Sequence, residues 1–382
     1  MIYRPIGKTG MSASIIGLGG EYLDHRPYEV SEEVIEAALE SGINIIDVFM
    51  PGTPVRDNIS RALKGRRDKV LLQGHIGSSL DINDQYDRTR NIATCRTYFE
   101  NLLRSFKTDY MDLGMMFFID TEEDFKGVFE TEYISYVQKL KQEGTIRAIG
   151  ASSHNPEMAA RLVETGVIEL LMFSVNLAYD MLPSDTYILE VMGEKLDNTQ
   201  FNGINPSRAH LYELCENKGI AVTTMKTLGA GRLISSDFSP FNQAVSVGQC
   251  IHYALTRPAV VSTLIGCKTR GEVLEAVNYL NLTDEQRDYS EVIKTFKGTL
   301  DARCMYCNHC LPCPSEIDIA ATTRLLDVAS LDEKNIPVQI REQYTASLHK
   351  ASECIACGSC EARCPFSVKV IENMEKAARL FE

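Results

Sequence analysis

Along roughly the first 280 residues, short apolar runs alternate with stretches in which apolar positions recur every three or four residues. The runs are Ile43 to Val48, Val70 to Gln73, Met111 to Phe118, Ile146 to Ala151, Leu170 to Val175, Ile220 to Met225 and Val261 to Ile265. Runs of this length predict strands buried on both faces, as parallel sheets require. Between them, Ser31 to Glu40, Ala93 to Ser105, Pro156 to Thr165 and Gly271 to Leu280 have the spacing of amphipathic helices. Seven or eight such repeats suit a closed (β/α)8 TIM barrel better than an open sheet. No Gly-x-Gly-x-x-Gly follows the first strand, which counts against a Rossmann domain.

The pattern changes near residue 295. Thr283-Asp284-Glu285-Gln286 opens a capped helix that leads to two dense cysteine runs, Cys304, Cys307, Cys310, Cys313-Pro314 and Cys354, Cys357, Cys360, Cys364-Pro365. Three thiolates two residues apart can wrap one corner of a 4Fe-4S cube, while a fourth before proline is carried to the neighbouring cube. One cluster is therefore assigned to Cys304, Cys307, Cys310 and Cys364, and the other to Cys354, Cys357, Cys360 and Cys313. Disulfides suit small secreted domains, and no basic-then-apolar leader precedes Met1-Ile2-Tyr3-Arg4, so a reduced cytoplasmic location is expected. Structural zinc is the other rival, although its cysteine pairs usually stand further apart. Stretches Ile317 to Leu331, Ile340 to Ala351 and Phe366 to Phe381 predict helices. The expected organisation is a barrel over 1–295 and a small, mainly α-helical, ferredoxin-like domain over 296–382. His309, inside the first run, is either exposed filler or a donor to cluster sulfur.

A formal charge of -13 would repel nucleic acid and anionic membranes. No apolar run approaches the roughly eighteen residues of a membrane span. A small molecule, with a redox protein as a further partner, fits better. Cys95, Cys215, Cys250 and Cys267 are scattered among apolar or helical positions and read as core residues.

Several segments recur in a fixed order: Tyr3-Arg4-Pro5-Ile6-Gly7-Lys8-Thr9-Gly10, Gly17-Leu18-Gly19-Gly20, Gly42-Ile43-Asn44-Ile45-Ile46-Asp47, Thr108-Asp109-Tyr110-Met111-Asp112-Leu113, Gly144-Thr145-Ile146-Arg147-Ala148-Ile149-Gly150-Ala151-Ser152 and Met225-Lys226-Thr227-Leu228-Gly229-Ala230-Gly231-Arg232. This order resembles the aldo/keto reductase family, specifically members with a C-terminal ferredoxin-like domain. The resemblance implies carbonyl reduction by an Asp, Tyr, Lys and His at strand ends, with tyrosine the proton donor and lysine lowering its pKa. Only Asp47 matches. Gly52 stands at the tyrosine, His75 at the lysine and Phe117 at the histidine, beside Phe118. The family's Ser-Asn pair for the carboxamide reads Ser152-Ser153, and Met172 replaces a glutamine four residues before Asn176. Lys226, Leu228, Gly231 and Arg232 match its pyrophosphate segment, and Lys268, Thr269 and Arg270 its adenosine-phosphate grip, although Gly266-Cys267 replaces Pro-Gly. NADP(H) is left open as a cofactor.

His75 then becomes the main acid/base candidate, since imidazole titrates near neutrality at the barrel mouth; the alternative is a structural hydrogen bond to Asp47. Tyr22 is placed by its loop to supply a phenol, with Glu21 a second acid, and His154 follows the strand carrying the carboxamide contacts. The long segment from Asp185 to Pro206 is expected either to cover the site with Met181, Tyr187, Met192, Phe201 and Asn202 or to form a surface helix at Tyr187 to Lys195. The leading expectation is an iron-sulfur oxidoreductase relaying electrons between two 4Fe-4S clusters and a small molecule in the barrel. A lyase or isomerase using His75 and Asp47 with structural clusters, and an electron-transfer or docking protein on a degenerate barrel, are the alternatives.

Overall fold

The computed structural model describes residues 1–183, 186–191, 196–201, 203–296 and 300–382. Eight parallel strands close a barrel in chain order: β1 Ile16–Gly19, β2 Ile45–Val48, β3 Leu71–Ile76, β4 Met111–Met116, β5 Ile146–Ser153, β6 Leu170–Ser174, β7 Ala221–Met225 and β8 Val260–Gly266. The ring closes where Thr263 pairs with Ile16 and Gly266 with Gly19. The apolar runs locate seven of these strands; β1 escapes because two of its four residues are glycine. A Cβ on Gly17 would lie 2.7 Å from both Ile45 and Leu264, so glycine is what lets β1 approach its neighbours.

A hairpin of Tyr3–Pro5 and Ser12–Ser14 precedes β1. Its Ile6 and Ala13 join Ile45, Leu113, Met115, Ala148, Leu170 and Ala221 in one buried cluster, so apolar side chains fill the barrel below the polar residues of the mouth. Helices Tyr28–Glu40, Ile92–Phe106 and Pro156–Glu164 follow the strands within a few residues of expectation. Arg270–Val277 ends in a 3-10 turn, Asn278–Asn281, where one continuous helix was expected.

The chain forms two compact units. The first comprises 1–174, 220–227 and 261–280; the second comprises 175–219, 228–260 and 281–382 and contains both cysteine runs. In the second unit the cysteines of the two runs stand on loops around helices Ile319–Ala329, Val338–Ala346 and Val370–Phe381, except Cys360, which lies in the short helix Ser359–Arg363. The last helix begins four residues later than expected, because Pro365 and the left-handed Ser367 (φ 56°) break the chain first. The helix expected up to Ala351 stops at Ala346, and a separate 3-10 turn covers Ala351–Glu353. Of the expected helix at Tyr187 to Lys195, Ile188–Val191 is helical, and 192–195 lie outside the described residues, as does Asn202.

Helix Pro206–Lys218 starts with Asn205 capping the Ser207 N–H and proline at the first position, a favoured pairing. From its far end Glu216 pairs with Arg324 at 3.4 Å and accepts from Gln343 at 2.7 Å, which ties it to helices Ile319–Ala329 and Val338–Ala346. On the same helix, burial first and then the nearby Asp327 carboxylate raise Glu213 to about 7. A carboxyl raised in the folded state contributes stability that is intact below its unfolded pKa near 4.5 and lost as pH rises through 7. Glu213→Gln should therefore flatten the fall in stability over that interval and gain ~1 kcal/mol at pH 8, discounted for partial exposure; urea unfolding at several pH values measures it.

Candidate functional site

At the barrel mouth, the inward positions of β2 and β3 carry polar side chains where most strands carry apolar ones. Asp47 Oδ1 accepts from His75 Nε2 at 2.8 Å and from Gln73 Nε2 at 2.7 Å. Gln73 also donates toward the Met172 sulfur at 3.2 Å, and its carbonyl accepts from Thr223 at 3.2 Å. Four strands thus contribute to one buried network, with His75 only 3% exposed. The loop after β1 crosses its rim at Gly20, where a Cβ would meet the Asp47 carbonyl at 2.7 Å.

With its proton on Nε2 and donated to Asp47, His75 is held in one tautomer. Its Nδ1 is buried and has no hydrogen-bond partner among the described residues. Around that ring stand Phe49 and Phe117, with ring centroids 6.2 and 5.3 Å away and both edge-on. Phe117 leads to Phe118 at 5.8 Å, and Phe118 to the His154 ring at 5.2 Å. His154 has its own carboxylate: Nδ1 lies 3.0 Å from Asp120 Oδ2, while the His154 N–H and the Ser153 hydroxyl donate to Oδ1. Burial works against the Asp120 charge, but the hydrogen bonds and charge of His154 outweigh it and hold this carboxyl below its usual value. Two histidine-carboxylate pairs therefore stand on either side of a phenylalanine pair.

Tyr22 packs at the end of β8. Its ring lies under the Lys268 ammonium at 4.6 Å and fills the space that a side chain at Gly266 would need. Burial, then Glu21 and Glu272, raise its pKa, so the phenol stays protonated. Glu21 pairs with Lys226 at 3.5 Å.

The residues matched to a nicotinamide site are engaged in local structure. In the first unit, Ser152 Oγ accepts from the Phe118 N–H at 2.9 Å. Thr269 caps helix Arg270–Val277, and Arg270 donates to Glu40 at 2.6 Å, in a neighbourhood that also holds Glu33 and Glu36. In the second unit, Asn176 Oδ1 caps the N–H groups of Ala178 and Tyr179. Leu228 precedes a turn in which Gly229, Ala230 and Gly231 all have positive φ, and Arg232 lines a cavity of about 270 Å³ with Asn176 and Tyr179.

Two further cavities lie among the cysteines. One, of about 350 Å³, is walled by Cys304, Cys307, Cys310 and Cys364; the other, of about 380 Å³, by Cys313, Cys354, Cys357 and Cys360. Ile319 and Val370 contribute to both, and the remaining walls are largely apolar. Among the described residues no three Cys, His, Asp or Glu side chains converge closely enough to hold a single ion. Four thiolates spread around an apolar cavity fit instead a cube in which each iron takes one sulfur. His309 bonds Asp288 and Ser290 through Nδ1, at 2.5 and 3.1 Å.

The Aldo/keto reductase family profile matches residues 15–246. The chain belongs to this family. A second profile, the 4Fe-4S dicluster domain, matches residues 303–369, so this family member is an oxidoreductase that carries iron-sulfur clusters. Aldo-keto reductase YhdN of Bacillus subtilis is 34% identical over 167 residues, 41% of this chain and about half (48%) of YhdN. The uncharacterized oxidoreductase YqkF of the same organism is 24% identical over 298 residues, covering 74% of this chain and 93% of YqkF. Among solved structures, aldo-keto reductase AKR11C1 from Bacillus halodurans superposes with a TM-score of 0.60 at 20% identity, over 77% of this chain and 96% of that one, a likeness of fold. No helix among the described residues is long and apolar enough to cross a membrane.

Gln73, Thr223 and Asp120 were not singled out from the sequence. The period of two in β3 was the available signal, since Gln73 and His75 share one face with the strand-end aspartate.

Proposed function

We propose that this chain, a barrel over 1–295 with a dicluster domain over 296–382, is an oxidoreductase acting on a small molecule at the barrel mouth through proton transfer by His75. The buried, unpartnered Nδ1 of His75 carries this reading. In the neutral ring that nitrogen is a lone-pair base; once protonated it is a donor, and Asp47 steadies the imidazolium as carboxylates do in triads. Phe49 and Phe117, stacked on each other at 5.8 Å, set apolar rings beside His75 for a substrate to pack against. His154, oriented by Asp120, is the second proton-transfer group, and Tyr22 positions Lys268. Cys304, Cys307, Cys310 and Cys364 are the proposed holders of one 4Fe-4S cluster, and Cys354, Cys357, Cys360 and Cys313 of the other. When bound, these clusters supply or accept electrons one at a time.

The test is anaerobic turnover of a panel of carbonyl compounds by the full chain, with reduced methyl viologen or NADPH as donor. Turnover with the viologen and about eight irons per chain is expected. A colourless zinc protein, or NADPH-driven turnover that survives removal of the iron, would sink the proposal.

A second reading adds NADP(H). The positive-φ turn at Gly229–Gly231 and the cavity at Arg232 favour it, whereas Glu33, Glu36 and Glu40 around Arg270 oppose a phosphate there. NADPH titration followed by nicotinamide fluorescence decides between the two. Substrate proton exchange without net redox change would point instead to a lyase or isomerase.

A further inference from the structure

The second unit contains a buried cation, Arg257, that makes no ion pair among the described residues. Arg257 ends helix Val247–Thr256 and is 5% exposed. Its hydrogen bonds go to neutral oxygens: the Tyr253 carbonyl, Thr256 Oγ1 and the Tyr289 hydroxyl, each at 3.2 Å, and the Met305 carbonyl. Its guanidinium lies over the rings of Tyr253 and Tyr306, at 4.4 and 4.7 Å. Two carboxylates stand nearby without pairing with it: Asp180 already receives Arg208, Tyr212 and Tyr253 at 2.6–2.7 Å, and Asp327 receives the Tyr306 hydroxyl at 2.5 Å. Among the described residues no ion pair forms at Arg257. A fully buried charge is costly unless an opposite charge answers it.

Both Met305 and Tyr306, the residues Arg257 touches, line the cavity of Cys304, Cys307, Cys310 and Cys364. Four thiolates on one cube give it net negative charge, increased by one on reduction. We propose that Arg257 is the counter-charge of the cluster in this cavity and sets its reduction potential above that of the cluster held by Cys313, Cys354, Cys357 and Cys360. This rests on the cluster assignment above. Around the second cavity the lining cation is Arg363, which is partly exposed and donates to the Cys310 and Pro312 carbonyls. Arg257 is the more deeply buried of the two, so it favours reduction of the cluster of Cys304, Cys307, Cys310 and Cys364 more strongly. Arg257 is thus a positioning residue that makes this cavity the place where electrons rest.

The experiment is an EPR-monitored redox titration of the anaerobically purified full chain, comparing wild type with Arg257→Gln, Arg257→Met and Arg257→Lys. Methionine is included because an apolar chain fits between the two tyrosine rings if the amide is not tolerated. Iron content and circular dichroism verify assembly. One midpoint should fall in the Gln and Met variants by at least a tenfold change in the reduction constant, about 59 mV for one electron, while the other midpoint stays and Lys remains near wild type. Two unchanged midpoints, or equal shifts in both, would overturn the proposal. Absence of iron and of EPR signals from the wild-type chain would instead refute the cluster assignment beneath it.

Discussion

Replacing His75 by glutamine is expected to lower kcat by about 10²–10⁴-fold, the usual contribution of a positioned proton-transfer group. Glutamine can still donate to Asp47, so the network of Gln73, Thr223 and Asp47 keeps its partners and the fold should persist. What it lacks is a second ring nitrogen that can act as a base and then return the proton. Iron content and the EPR signals should match wild type, because the cysteines lie in the other compact unit. His75→Lys, which restores the residue type that the family places there, should not recover activity: Gly52 stands where the phenol that lysine assists would be. If His75 is only a structural partner of Asp47, glutamine will cost stability without changing kcat, and steady-state kinetics beside urea unfolding separates the two outcomes.

The barrel was legible because strands buried on both faces cannot alternate polar with apolar residues, and Ile45–Val48, Met111–Met116 and Leu170–Ser174 stand out as continuous runs. β1 was not, since its two glycines answer to Ile45 and Leu264, contacts that exist only once the ring has closed. The make-up of the compact units was equally hidden: helix Pro206–Lys218 reads like any barrel helix, and the ion pair of Glu216 with Arg324 and its bond from Gln343 show what it packs against.

At the barrel mouth, the local sequence identified Asp47 and His75 as polar residues ending buried strands. It did not reveal Gln73, Thr223 or Asp120, because their meaning comes from hydrogen bonds between residues 26 to 150 positions apart. Tyr22 illustrates the opposite limit. Its loop is legible, but the seat of its ring, over the bare backbone of Gly266 and under the Lys268 ammonium at the end of β8, comes only from the closed barrel. Close cysteine spacing is a stronger signal, since a short loop has few ways to point three thiolates inward, and the proline after the fourth turns the chain away.

Paired cysteine substitutions should resolve the proposed crossed ligation by an all-or-half result. Cys364→Ala is expected to remove the cluster of the Cys304 cavity and about four of eight irons, although Cys364 belongs to the other run. Adding Cys304→Ala should cost no further iron, because both residues wall the same cavity. Combining Cys304→Ala with Cys313→Ala should remove nearly all of it, because these two neighbours in sequence wall different cavities. Ligation within each run predicts the reverse: Cys304→Ala with Cys313→Ala would spare four irons, and Cys304→Ala with Cys364→Ala would lose both clusters. Iron and sulfide analysis of the four anaerobically purified proteins decides between the two patterns. Loss of the 304 cluster should also loosen the second unit, since Ile319 and Val370 would then line a void in place of a packed cube.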